Sequence, residues 1–275
     1  MAPPRVLIIS SFVAASRVGG YAQSLALAAR GVEAHLAPTV LFGRSPGLGP
    51  PGGGAVAEPL FSGVLGGAEA AGGFDCDAVL TGYFSSASQT RAAAAAIGRT
   101  RTAGAAPLLF VDPILGDEEE GLYVNAEVED AVRRELLPRA DIVSPNLFEL
   151  GRLTGRAPAD PAETLAAART LGRPVLATSV PCGAGRIGVL YVDGDAAVLA
   201  AHEKIPRAAK GTGDFLKALF LAERLKGRDP ATSLAACMQE VVAAVLTADA
   251  AGACDLPLLP GLRAAPADVV TTLLS

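Results

Sequence analysis

Short apolar runs rich in β-branched residues alternate along this chain with segments of helical period, and this alternation constrains the fold more than any other feature. Val6 to Ile9, Val32 to Leu36, Ala78 to Leu80, Leu108 to Val111, Ile142 to Val143 and Pro174 to Ala177 read as strands. Helices are predicted between them. Asp160 to Leu171 is the clearest, with Asp160 at the N-cap, Pro161 at the first helical position and Glu163 completing a capping-box pattern. Ala126 to Leu137 and Phe215 to Leu225 place apolar residues at helical spacing. A strand-helix-strand series covers its sheet on both faces, so the expected class is α/β, with a mostly parallel central sheet flanked by helices. Ile187 to Val192 and Ala197 to Ala201, joined by Asp193-Gly194-Asp195, predict an antiparallel hairpin added to that sheet.

The 275 residues, 51% hydrophobic and 19% charged, are enough to bury a substantial core, and they read as one domain over 1–275. Residues 43–73 stand apart. They are dense in Gly and Pro, including Pro50-Pro51-Gly52-Gly53-Gly54, and are expected to form a long surface loop covering the substrate side. A formal charge of -5 without a basic stripe argues against a nucleic-acid partner. Four scattered cysteines and two distant histidines offer neither a zinc site nor a disulfide framework, which places the expected home in the cytoplasm. No membrane span is expected, because the longest apolar stretch, Leu234 to Cys254, is broken by Gln239, Glu240 and Asp249.

Two G-x-G-x-x-G matches fail on context. Gly183 to Gly188 leads into a strand, whereas a dinucleotide fingerprint must open a helix, and Gly47 to Gly52 has prolines where the helix should start. The strongest local signal is Gly211-Thr212-Gly213-Asp214, followed at once by the apolar run Phe215 to Phe220. Two glycines let backbone N–H groups turn toward a guest, and the helix N-terminus behind them adds positive potential, which makes an anion cradle. Asp214 suits a general base facing a phosphoryl donor, although on the tetrapeptide alone a helix cap is equally open.

Polar residues also recur at strand ends. Tyr83 follows one, Asp112 with Asp117 another, Asn146 with Glu149 a third, and Thr178 with Ser179 a fourth. Ligands of open α/β sheets sit outside the carboxyl ends of the strands, so these residues are expected to converge on one crevice. Asn146 and Glu149, three apart at a helix start, are expected to face a hydrated Mg²⁺, with Asp112 and Asp117 adding carboxylates.

In these blocks the sequence resembles the pyridoxal kinases, a branch of the ribokinase-like superfamily. The similarity rests on Asp77 to Tyr83, Val111-Asp112-Pro113 to Gly116-Asp117, Tyr123-Val124, Ala140 to Asn146 with Glu149, and Gly211 to Asp214, in order and spacing. It implies a ribokinase-like three-layer sandwich and the ATP-dependent phosphorylation of the 5′-hydroxymethyl group of pyridoxal, with pyridoxine and pyridoxamine as further substrates. Hydroxymethylpyrimidine phosphorylation and a pyridoxal-binding protein without turnover are the alternatives. By resemblance, Asp214 is the base, and Gly211, Thr212 and Gly213 form the anion hole. Ser11, Ser45 and Tyr83 flank the vitamin. Asp112, Ser144, Glu149, Thr178 and Ser179 meet ATP, with Asp112 and Glu149 near the metal. Mg²⁺, K⁺ as a candidate monovalent ion, and a homodimer are likewise implied. Departures cluster on the substrate side: Ser16 and Gly19-Gly20 stand where the family tends to have Gly and Gly-Asn, and Arg44-Ser45-Pro46-Gly47 where it often has Asn-His-Thr-Gly.

Overall fold

The computed structural model describes residues 2–102, 104, 106–206, 209–258 and 268–274. Among these described residues, ten strands form one sheet: β1 (Arg5–Val13), β2 (Glu33–Phe42), β3 (Gly53–Ala55), β4 (Ala78–Thr81), β5 (Leu108–Val111), β8 (Ile142–Val143), β9 (Val175–Pro181), β10 (Arg186–Asp193), β11 (Ala196–Glu203) and β12 (Val270–Leu274). Their spatial order is β12-β11-β10-β9-β8-β5-β4-β1-β2-β3, and a separate two-stranded ribbon pairs β6 (Gly116–Asp117) with β7 (Gly121–Leu122). The six strands from β9 to β2 run parallel, and the edges are antiparallel. The predicted hairpin is present as β10 and β11, in register from Arg186–Glu203 to Asp193–Ala196.

Period-two alternation sends successive side chains of each central strand to opposite faces. Val6, Ile8, Leu80, Phe110 and Leu176 pack on one face against α1 (Gly19–Ala29), α7 (Thr212–Leu225) and α8 (Pro230–Ala250), through Leu27, Leu219, Phe220 and Val241. Leu7, Ile9, Val79, Leu109 and Val111 face the other way. They meet α2 (Leu60–Ala70), α3 (Ala87–Thr102) and α4 (Ala126–Ala131) through Phe61, Leu65, Ile97 and Val128. A third cluster joins α5 (Leu147–Thr154) and α6 (Pro161–Arg169) to β9 and β10 through Leu150, Leu165, Val175 and Leu190. This is the expected three-layer sandwich. Asp160 caps α6 by accepting the Glu163 N–H, as its spacing predicts.

Two expectations need correction. Residues 43–73 are not one long loop. Gly53–Ala55 add an edge strand to β2, and Leu60–Ala70 form a helix that buries Phe61 and Leu65, four residues apart on one face. Residues 43–52, apart from a short 3₁₀ turn at Pro46–Leu48, and the short connections 56–59 and 71–73 are what remain irregular. The helix expected over Ala126 to Leu137 is α only to Ala131; it widens into a π turn at Val132–Leu136 and tightens into a 3₁₀ turn at Leu137–Arg139. Among the described residues, α8 alone is long and apolar enough to cross a membrane, and with 56% of its apolar window buried it serves as a core helix.

Candidate active site

The chain runs from β1 to β2 on one side and returns to β4 on the other, so the direction of winding reverses beside β1. Such a reversal leaves a crevice above the strand ends that neither neighbouring loop fills. Ser10 ends the continuous buried run of β1, and its hydroxyl accepts the Tyr83 N–H at 3.4 Å; the Tyr83 carbonyl in turn accepts the Thr39 hydroxyl at 2.6 Å. Ser11 and Tyr83 are both partly exposed at this level. Gly82 lies so close to Ser10 that a Cβ would stand 2.3 Å from its Oγ.

Two helix N-termini converge here. α1 starts at Gly19 and α7 at Thr212, and the Asp214 carboxylate joins them: its Oδ2 accepts the Gly19 N–H at 2.8 Å, while Gln23 Nε2 stands 3.4 Å from Oδ1. Gly211 at the N-cap has φ of +86°, and a Cβ there would fall 2.2 Å from the Arg17 carbonyl oxygen. Only glycine fits that approach. The N–H groups of Thr212 and Gly213 belong to the first turn, which has no intrahelical acceptors for them, so they are available to an anion. Burial pushes Asp214 up to about 6, the charge of Asp112 acts in the same direction, and the Gly19 N–H and Lys217 oppose both.

The sequence pattern does not single out Lys217, because Phe215 to Phe220 has the look of an apolar run. The structure buries its ammonium 2.7 Å from Asp112 Oδ1. Burial pushes Lys217 down, but Asp112, Glu149 and Asp214 outweigh it and hold the amine protonated. The usable signal was a lysine three residues after Asp214, on the same helical face, in a run otherwise apolar.

The four predicted Mg²⁺ residues do not form an open ligand set. Asn146 and Glu149 make a reciprocal capping box at the start of α5, and Asn146 Nδ2 donates to the Gly116 carbonyl. Both Glu149 oxygens are engaged: Oε2 accepts the Asn146 N–H, and Oε1 accepts the Leu115 N–H at 2.8 Å. Asp117 caps its own turn, accepting from the Glu119 and Glu120 N–H groups and from the Tyr123 hydroxyl. Asp112 keeps one free buried oxygen, Oδ2, on the same carboxylate that Lys217 holds. Among the described residues, no three His, Cys, Asp or Glu side chains are grouped to hold a metal ion. Of these carboxylates only Asp112 Oδ2 lacks a hydrogen-bond partner, one open oxygen where a resident dication needs several. The protein side chains therefore do not fit a directly ligated metal.

Of the other predicted contacts, Ser144 is fully buried and its hydroxyl is spent on the Leu176 carbonyl, tying β8 to β9 and removing it from the crevice. Thr178 is buried and bridges Asn146 across the strand ends. Ser179 is exposed and holds a left-handed φ of +63°. Ser45 is buried at the start of the 3₁₀ turn over Pro46–Leu48. Gly47 in that turn lies beside the ion pair between Lys210 and Glu120, so the 43–52 segment, the β6–β7 ribbon and the approach to α7 meet above the crevice.

The family profile described as phosphomethylpyrimidine kinase matches residues 68–258. A pyridoxine/pyridoxal/pyridoxamine kinase of Bordetella avium is 34% identical over 273 residues, which cover 96% of this chain and 92% of that protein. The chain belongs to the pyridoxal kinase family. The family's solved structures share its fold: pyridoxal kinase from Entamoeba histolytica superposes with a TM-score of 0.89 at 23% identity, covering 99% of this chain and all of the other. Pyridoxal kinase from Leishmania donovani, in complex with ADP and pyridoxamine, gives 0.88 at 24% over the same shares. Kinases of this family work on ATP, and ATP chemistry in general employs a divalent metal.

Proposed function

We propose that this chain transfers the terminal phosphoryl group of ATP to the 5′-hydroxymethyl oxygen of pyridoxal, and of pyridoxine and pyridoxamine. The observation that carries this reading is the Asp214 carboxylate held between two helix N-termini directly after the Gly211-Thr212-Gly213 turn. Transfer to an alcohol needs a base for the hydroxyl proton and fixed positive potential for the moving phosphoryl group. Asp214 Oδ2 is occupied by Gly19, so Oδ1, with only the long Gln23 contact, is the oxygen that takes the proton. The Thr212 and Gly213 N–H groups and the α7 dipole meet the phosphoryl oxygens as charge develops.

Ser11 and Tyr83 flank the vitamin at the β1 and β4 ends, and Ser45 approaches it from the covering segment. Thr178 and Ser179 stand on the nucleotide side, and the metal that accompanies ATP is Mg²⁺ in this reading. The free thiols of Cys76, Cys182, Cys237 and Cys254 support a cytoplasmic setting. Turnover measured side by side with pyridoxal, pyridoxine, pyridoxamine and hydroxymethylpyrimidine tests the assignment. The highest kcat/KM on a B6 vitamer supports it. Preference for the pyrimidine shifts the substrate, and vitamer binding without ADP formation makes the chain a binding protein.

A further inference from the structure

Lys217 is one of only four lysines in the chain, and it lies wholly inside the protein. Its ammonium sits 2.7 Å from Asp112 Oδ1, feels the charges of Glu149 and Asp214, and lies 3.9 Å from the point where a Cβ on Gly213 would stand. It is thus directly behind the phosphoryl cradle and in the middle of the carboxylates that otherwise attract a dication. The oxygens around it are committed to it or to backbone N–H groups, with Asp112 Oδ2 the one exception among those of Asp112 and Glu149.

We propose that the Lys217 ammonium is the resident cation of this acidic pocket, so that the nucleotide-free chain holds no divalent metal there and metal enters only on the phosphates of ATP. A tethered ammonium balances the charge of Asp112, keeps the buried carboxylates apart from bulk counter-ions, and places permanent positive potential behind Gly213. It also repels a second cation. The ligand oxygens for the metal must then come from the nucleotide and water, which suits a small ion that keeps much of its hydration shell. The statement about nucleotide rests on the kinase reading; the exclusion of metal from the empty pocket does not.

Mn²⁺ serves as the probe, its free concentration read by electron paramagnetic resonance with the full chain and no nucleotide. Wild type is expected to leave Mn²⁺ free into the millimolar range, whereas Lys217→Gln and Lys217→Met, by freeing both oxygens of Asp112, gain one site per chain at least about tenfold tighter. Thermal unfolding gives an independent readout: Mn²⁺ should raise the Tm of the variants and leave that of wild type unmoved, since a ligand stabilises only the state that binds it. Adding a non-hydrolysable ATP analogue should bring Mn²⁺ onto wild type. Tight binding of one Mn²⁺ to nucleotide-free wild type overturns the proposal whatever the variants do, and so does a folded Lys217→Gln that gains no site. If neither variant folds, the wild-type titration decides alone. An absence of kinase activity would strike the functional assignment and leave these nucleotide-free measurements standing.

Discussion

The ionisation of Asp214 makes the reaction's pH dependence calculable from the structure. The carboxylate is lifted from an ordinary 3.8 to about 6, first by burial and then by the neighbouring charge of Asp112. The base works only when ionised, so activity must fall as pH drops through that value. With a midpoint of about 6, roughly nine-tenths of the enzyme is active at about pH 7 and roughly one-tenth at about pH 5, about a tenfold fall in kcat/KM between them. An ordinary aspartate would lose less than about a tenth over the same interval. The assay is kcat/KM for pyridoxal, followed by ADP release in buffers of constant ionic strength, because this parameter reports the free enzyme. Asp214→Asn should lower turnover by about 10² to 10⁴ and flatten the acid limb, since no titrating base remains. An acid limb near the ordinary carboxylate value, or one that persists in the Asn variant, would refute the assignment of the base.

Gly211→Ala should lower stability by roughly 2 kcal/mol or more and reduce kcat, because φ of +86° strains any side chain and its Cβ would meet the Arg17 carbonyl; thermal melts and kinetics on the folded fraction check this. Asp112→Ala should cost roughly 3–5 kcal/mol in urea unfolding, since it leaves the buried Lys217 ammonium without its hydrogen-bonded partner. Lys210→Ala should change stability by less than about 1 kcal/mol, because its bridge to Glu120 is exposed, while raising KM for the vitamer by loosening the tie beside Gly47. An unchanged KM would make the 43–52 segment inert surface.

The central sheet was legible because buried parallel strands appear as unbroken apolar runs, and Leu108–Val111 and Ile142–Val143 fall where those runs lie. In 43–73 glycine density hides a weak periodicity: α2 contains Gly63, Gly66 and Gly67, yet Phe61 and Leu65 still anchor one face. At the site, Asp214 is legible from its place directly after Gly211-Thr212-Gly213, in the first turn of an apolar helix. The spacing of Asn146 and Glu149 fits a capping box and a metal face equally well, and only the observed hydrogen bonds separate the two. A lone lysine in an apolar run marks Lys217 itself but not its partner, since Asp112 lies 105 residues away and no local pattern reports a pairing over that distance.

The hydrogen bond from Gly19 to Asp214 spans 195 residues, and this has a consequence for the order in which the chain matures. The β9–β10–β11 meander pairs residues close in sequence and can form early, with little loop entropy lost. The α1–α7 junction cannot, because it requires β1 to be inserted between β2 and β4 and the α7 layer to close over them. The base acquires its position only when the β1–α1 segment and α7 have both been assembled. In refolding from denaturant, catalytic activity should therefore return with the slowest structural phase, after most strand signal is regained, which makes turnover a sensitive report of completed folding.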